Sequence, residues 1–493
     1  MNASPVSSPE APISGRSTRP DAIVLVLAVA GITAALMQTL VVPIIGELPT
    51  LLNTSKSNAS WVITATLLAA AVATPVSGRL GDLYGKRQVM LVCAVLLVVG
   101  SVVCATAGGV VAMIVGRALQ GSAMGLVPLG ISAMRDLLPP EKLGKSVALM
   151  SASMGIGGAL GLPISAAIAE HTNWHVLFWF ATAMAVLVLV MIATLVPPTR
   201  ISASGSFDVL GAVGLGAGLI CFLLAVSKGA DWGWSSAATI SLFVAAVVIL
   251  LAWGAFELRS DNPLVDLRVT ARPVVLLTNV ASVVIGFAMY SNSLILPQLL
   301  QLPSATGYGL GQSMMQMGLW MLPGGIMMML ISPVGAKVSA ARGPKITLAL
   351  GSTIVAVGYA AAVLGMGSTW TLLIGICVIN AGVGMAYGAM PALIMGSVPI
   401  SETASANSFN TLMRSVGTSV SAAVIGVVLA QMTTSFGGYE LPSKSGFQVG
   451  LWIGAIVALV AAAIAMTIPT SASKAAESHL EHPETAEGEP AAL

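Results

Sequence analysis

Residues 78–87 read Gly78-Arg79-Leu80-Gly81-Asp82-Leu83-Tyr84-Gly85-Lys86-Arg87. The run sets three basic residues and one acid between two long apolar stretches. The whole chain is 56% hydrophobic and only 8% charged. Glycines in the run permit a tight turn. Its basic residues mark a loop kept on the inner side of a membrane, because positive charge is retained there.

Working outward, apolar runs of about 20 residues, enough to cross a bilayer, recur along the chain. Soluble domains of 493 residues are not built this way. The chain reads as an all-α polytopic membrane protein; no short alternating strands of the β-barrel kind are readable. Cys93, Cys104, Cys221 and Cys377 all fall in apolar runs, which counts against a disulfide framework. The first apolar run lacks a small-residue cleavage site and is too long for a signal peptide, so it reads as the first span.

Fourteen spans are expected, at about Ala22–Ile45, Ser60–Leu80, Val89–Ala107, Val110–Ser132, Ser146–Glu170, Trp174–Val196, Val209–Val226, Ala237–Phe256, Val274–Leu299, Ser313–Ser332, Ile346–Met366, Thr369–Pro391, Asn410–Gln431 and Phe447–Ile468. The polar stretches between them divide the chain into a disordered N-terminus (1–20), a six-span bundle (21–198), a two-span insert (199–257), a linker (258–272), a second six-span bundle (273–470) and a disordered tail (471–493). With both termini in the cytoplasm, the outer loops hold Lys56, Lys228 and Lys444, and Arg117 lies in span 4. The other 17 of the 21 Lys and Arg residues, Arg414 among them, then fall inside. That bias sets the orientation and predicts a multi-pass protein of the cell membrane.

The run has an internal copy. With Pro75 aligned to Pro333, Arg79 meets Lys337, Gly85 meets Gly343 and Arg87 meets Lys345; Leu149-Met150 likewise matches Leu412-Met413. Two parallel halves of this kind are a transporter architecture with the substrate site near mid-membrane between them. Asp82 has no counterpart, since Ala340 stands there, so the halves are not equivalent.

These residues resemble the major facilitator superfamily, and within it the 14-span drug:proton antiporters. Residues 78–87 are similar to the family's loop signature G-x-L-x-D-x-x-G-x-R. Arg117, Gln120 and Gly121 resemble its second motif. Span 5, with Gly155, Gly157, Gly158, Gly161 and Pro163, resembles its antiporter motif. Two departures stand out: Leu162 separates Gly161 from Pro163, with Ser165-Ala166 where a glycine pair is usual, and Met37 stands where span 1 often carries an aspartate. The resemblance implies two six-helix bundles with a two-helix insert and export driven by protons.

The site residues follow. Asp82 can accept hydrogen bonds from the exposed amides at the start of span 13, where the helix dipole also favours an anion. Gly78, Arg79, Asp82, Gly85, Lys86, Arg87 and Arg414 therefore form a candidate gating latch; a local salt bridge of Asp82 with Arg79 or Lys86 is the plainer alternative. Arg117, buried in span 4, is a functional candidate by default. It is expected to tune a proton-binding group or to tie helices together through Gln38 or another group on span 1. Every acid lies in a tail, a loop or near a span end, and the outward-facing Glu47 is the titrating candidate; with it, Arg117 and Gln120, through the resemblance to the second motif, make up the coupling candidates. Gln38, Tyr290, Asn292, Trp320 and Met321 are the cavity candidates, in spans where methionines suit a surface that accepts varied ligands.

The reading is a transporter that exports amphipathic small molecules, drug- or antibiotic-like, as a monomer in the lipid bilayer with protons as counter-ion. A dedicated metabolite exporter or facilitator without proton coupling is the alternative, and a membrane-embedded sensor or enzyme the remote one. No cofactor, metal cluster, nucleic-acid partner, nucleotide-binding loop or nucleophile–base pair is readable, which argues against an enzyme.

Overall fold

The computed structural model describes residues 20–41, 44, 47–199, 201, 203, 205–436 and 439–469. The tails expected to be disordered lie outside the described residues, apart from Pro20. In chain order the helices are α1 (Pro20–Thr39), α2 (Leu48–Leu51), α3 (Lys56–Tyr84), α4 (Lys86–Ala105), α5 (Val110–Ser122), α6 (Leu126–Leu137), α7 (Pro140–His171), α8 (His175–Leu195), α9 (Val209–Trp232), α10 (Ala237–Glu257), α11 (Leu267–Thr270), α12 (Pro273–Gln301), α13 (Met314–Arg342), α14 (Pro344–Leu364), α15 (Thr369–Met395), α16 (Thr403–Gln431) and α17 (Lys444–Thr467). Fourteen helical segments are long and apolar enough to span a membrane, α5 and α6 together making one of them.

Local chemistry sets the helix starts. Ser55 accepts from the Asn58 amide to open α3, Ser236 caps α10, and Ser443 caps α17. Ser313 and Gln316 form a reciprocal capping box on α13. Pro140, Pro273 and Pro344 occupy first helical positions, where no amide donor is needed.

The stretch that decides the fold is itself mostly helix. α3 runs on to Tyr84, and the turn is the single residue Gly85, at φ 93°. A charged run need not end a helix when its charges find partners, and Asp82, Arg79 and Lys86 are all buried. Its repeat behaves alike: Gly343, at φ 84°, separates α13 from α14. Both positions need the left-handed region that glycine enters without strain.

Span 4 is present as one membrane-length segment, α5 and α6 joined by a 3-10 turn at Ala123–Gly125. Two other expectations are corrected. Lys228 lies inside α9 and is buried rather than in an outer loop, because it bonds Ser60 and stands 3.2 Å from Asp231. A short hairpin, β1 (Thr433–Phe436) paired antiparallel with β2 (Tyr439–Pro442), joins α16 to α17, where no strand was readable.

Two separate cores fill the bundles. One gathers Leu27, Met90, Leu97, Met113, Leu129 and Phe178 from α1 and α4–α8. The other gathers Ile285, Met328, Tyr359, Ile376 and Phe447 from α12–α17. A third, smaller cluster draws on the insert and on both bundles: Ala71 of α3, Leu215, Leu219 and Leu223 of α9, Leu264 and Val265 of the linker, and Phe409 and Leu412 of α16. α10 buries only Thr239, Ala246 and Glu257 and turns Val244, Val247 and Leu251 outward.

Candidate functional site

The bundles meet along two seams. In lipid, helices associate by close packing of small residues rather than by a hydrophobic drive. Along α7 and α13, a Cβ on Gly325 would lie 2.7 Å from the Gly155 carbonyl oxygen, one on Gly318 would lie 2.8 Å from Pro163 N, and Ser332 donates to the Ala148 carbonyl at 2.5 Å. The antiporter-motif glycines divide their work. Gly155 faces Met328 of the other bundle, Gly157 and Gly161 face Ile32 and Thr39 of α1, and Gly158 faces open space.

The second seam is α3 against the start of α16. Gly78 makes it close, since a Cβ there would come within 2.5 Å of Ser408 Cβ and 2.7 Å of the Ala404 carbonyl oxygen. One turn on, Asp82 is fully buried and accepts three hydrogen bonds: from the Ala404 amide at 3.1 Å and from the Ser405 amide and hydroxyl at 2.8 Å each. These are orphan amides of a helix N-terminus, so donors and dipole both favour the anion. The local ion pair is present too: Lys86 Nζ stands 3.7 Å from Asp82 and 2.8 Å from Asp136.

Neighbours from α6 extend the seam. Arg135 donates to Thr403 Oγ1 at 2.8 Å, Ser132 donates to the Thr403 carbonyl at 3.1 Å, and Asn407 donates to Ser132 Oγ at 3.3 Å. Asp136, Arg135, Ser132, Thr403, Ser405 and Asn407 were not singled out from the sequence. The signals available were the Arg135-Asp136 pair closing span 4 and the polar run at 401–410.

The remaining latch candidates take different places. Arg79 is 8% exposed and lines a cavity of about 270 Å³ with Asp261, Asp266, Glu402 and Ser405. Arg87 turns away from the seam and donates to the Ala193 carbonyl at 2.8 Å, with its amide on Thr199 Oγ1 at 3.1 Å. Arg414 is not part of the latch, nor a loop charge. It lies in the fourth turn of α16, buried, with its guanidinium 4.5 Å from the centre of the Tyr387 ring. That cation–π contact keeps the charge inside the second bundle.

Arg117 bridges α5 to α1. Its guanidinium donates to the Met37 carbonyl and to Gln120 Oε1, both at 2.8 Å, and Gln120 donates to Ser101 at 2.8 Å. Gln38, proposed as its partner, is exposed and instead donates to Met124 Sδ at 2.8 Å. Glu47 is exposed at the start of α2 and makes no side-chain cap.

Among the cavity candidates, Asn292 is buried with an unpartnered Oδ1, Tyr290 is half-buried and Met321 belongs to the second core. Trp320 does not line the seam. It sits two residues from Gly318, about 200° around the helix, and donates to Gln312 at 2.9 Å while stacking edge-on against the exposed Trp370.

Two helix bundles meeting at glycine-lined seams, with buried polar groups bridging them, define a membrane transporter fold. The sequence model of the Major Facilitator Superfamily matches residues 27–422. The chain belongs to that superfamily, whose members are transporters rather than enzymes. It is 27% identical over 428 residues to the tetracenomycin C resistance and export protein of Streptomyces glaucescens, covering 85% of this chain and 78% of that one. It is 25% identical over 379 residues to a multidrug resistance protein B homolog of Mycobacterium tuberculosis, covering 75% and 69%. Among solved structures, the proton:xylose symporter XylE aligns with a TM-score of 0.64 at 15% identity, over 93% of this chain and 98% of that one. This likeness is one of fold.

Proposed function

We propose that this transporter exports amphipathic small molecules across the cell membrane by alternating access, with both termini and the Asp82 end of the molecule in the cytoplasm. The observation that carries the reading is the Asp82 carboxylate of one bundle held by three donors at the start of a helix of the other. Bonds of this kind can be made and broken as the bundles rock, without unfolding either core. Tight glycine contacts along α7 and α13 supply the hinge line. Relatives named for antibiotic and multidrug resistance support export of apolar, antibiotic-like cargo, and the methionines and half-buried aromatics of the second bundle suit it.

Protons are the proposed counter-ion. A second reading, transport without proton coupling, has one observation in its favour. Among the described residues, the buried carboxylates Asp82 and Glu257 stand at span ends rather than at mid-membrane.

The test is efflux of ethidium from proteoliposomes, with and without an imposed pH gradient. Efflux that follows the gradient and is lost in Asp82→Asn supports the antiporter. Efflux indifferent to the gradient supports the facilitator, and a wild-type rate in Asp82→Asn removes the latch.

A further inference from the structure

The insert begins and ends with an acid, and the fold brings the two together. Asp208 caps α9, its Oδ1 accepting from the Gly211 amide at 2.7 Å. Glu257 closes α10, 2% exposed, its Oε2 accepting from the Leu264 amide of the linker at 3.1 Å. Each carboxylate has a second oxygen that is buried and without a hydrogen-bond partner, Asp208 Oδ2 and Glu257 Oε1. Both of these point at one place. A Cβ on Gly211 would lie 2.5 Å from Asp208 Oδ2 and 2.6 Å from Glu257 Oε1, so the two oxygens share the space that glycine leaves open.

Among the described residues, no Lys, Arg or His nitrogen lies within ion-pair distance of either acid. The charged groups nearest to Glu257 line its cavity of about 180 Å³: Arg259, Asp261, Asp266 and Arg268 of the linker and α11. Arg268 is engaged with the Leu258 carbonyl at 2.8 Å. On the α3 and α16 side, Arg79 and Glu402 face the linker across the neighbouring cavity. Trp253, one turn before Glu257, turns its buried indole N–H towards the Glu257 carboxylate without reaching full hydrogen-bond geometry. With the two carboxylates converging on one space, and one of them almost fully buried, ionisation of both is disfavoured.

We infer that Asp208 and Glu257 form a proton-binding site, holding one proton between Asp208 Oδ2 and Glu257 Oε1 as a carboxylic acid–carboxylate pair. The proton fastens the linker. With Glu257 Oε2 holding the Leu264 amide, Leu264 and Val265 stay in the small core with α9 and with Ala71, Phe409 and Leu412 of the two bundles. Loss of the proton leaves two like charges at the foot of the hairpin and loosens that grip. The inference does not depend on transport direction or coupling.

Infrared spectroscopy of the purified full-length protein in detergent tests it. At neutral pH the wild type is expected to show a protonated-carboxyl band that disappears in Glu257→Gln and weakens or shifts in Asp208→Asn. In Asp208→Asn the like charge is gone and the new amide can donate to Glu257, while the burial of Glu257 remains. The thermal midpoint gives a second readout. The folded state holds a proton that the unfolded chain has released, so wild-type stability falls as pH rises through loss of the shared proton. Glu257→Gln, which mimics the protonated acid, should flatten that fall. A band unchanged in both variants overturns the inference. So does a wild-type midpoint raised by sodium or calcium but not in Glu257→Gln, which would make the pair a cation site.

Discussion

Lys86 and Asp136 form an ion pair at 2.8 Å in which the lysine is fully buried and the aspartate nearly so. The same ammonium lies 3.7 Å from Asp82, so one cation serves the last turn of α3 and the last turn of α6.

Lys86→Met therefore strands buried negative charge. Removing one partner of a buried pair costs about 3–5 kcal/mol, and the loss should appear as a lower thermal midpoint of the detergent-solubilised protein. Adding Asp136→Asn to Lys86→Met should restore part of it. A double variant no more stable than the single one would mean that Asp136 is not the group that suffers.

Asp82→Asn keeps shape but loses charge and one acceptor. A hydrogen bond to a charged group is worth about 1.5–3 kcal/mol, so the equilibrium constant for docking α3 on α16 should fall roughly 10- to 150-fold. Spin labels near the ends of the two helices would report it as a longer distance. An unchanged distance distribution would show that the carboxylate does not hold the seam.

Gly78→Val should have a different signature. Its side chain must enter the space held by Ser408 and the Ala404 carbonyl. The bundles are expected to fold with an ordinary thermal midpoint yet stay apart at this end, leaving a cysteine at position 405 reactive to a soluble maleimide. Protection equal to wild type would contradict the close crossing.

Arg117→Met unties α1 from α5. The Met37 carbonyl and Gln120 Oε1 lose their shared donor, at about 1–3 kcal/mol for each group left unsatisfied. Gln120→Leu, which spares the bond to Met37, should cost less. Thermal melts and equilibrium dye binding separate the cases. An unchanged melt with transport no longer following the pH gradient would assign Arg117 to coupling instead.

The membrane fold was legible because hydropathy and the duplicated 75–87 run report on length and topology, which do not depend on how helices turn towards each other. Helix ends were less so. Charge looked like a loop at residues 79–87 and at Lys228, yet Asp82, Lys86 and Lys228 have ionic partners there, and a satisfied charge does not interrupt a helix. Asp82 could be aimed at the start of span 13, since that helix opens with free amides near the same face. Trp320 could not be placed, because its direction depends on the phase of α13, which Gly318 and Gly325 fix only through contacts with α7. The Asp208–Glu257 meeting was hidden for a similar reason: two acids 49 residues apart become neighbours only when the hairpin closes.

The small core that joins the insert to both bundles has a consequence for lipids. α9 lies across the line where α3 meets α16, and α10 turns its apolar surface outward beyond it. Acyl chains on that side touch the hairpin and not the crevice behind it. The insert thus acts as a sheath over one flank of the line where the two bundles meet.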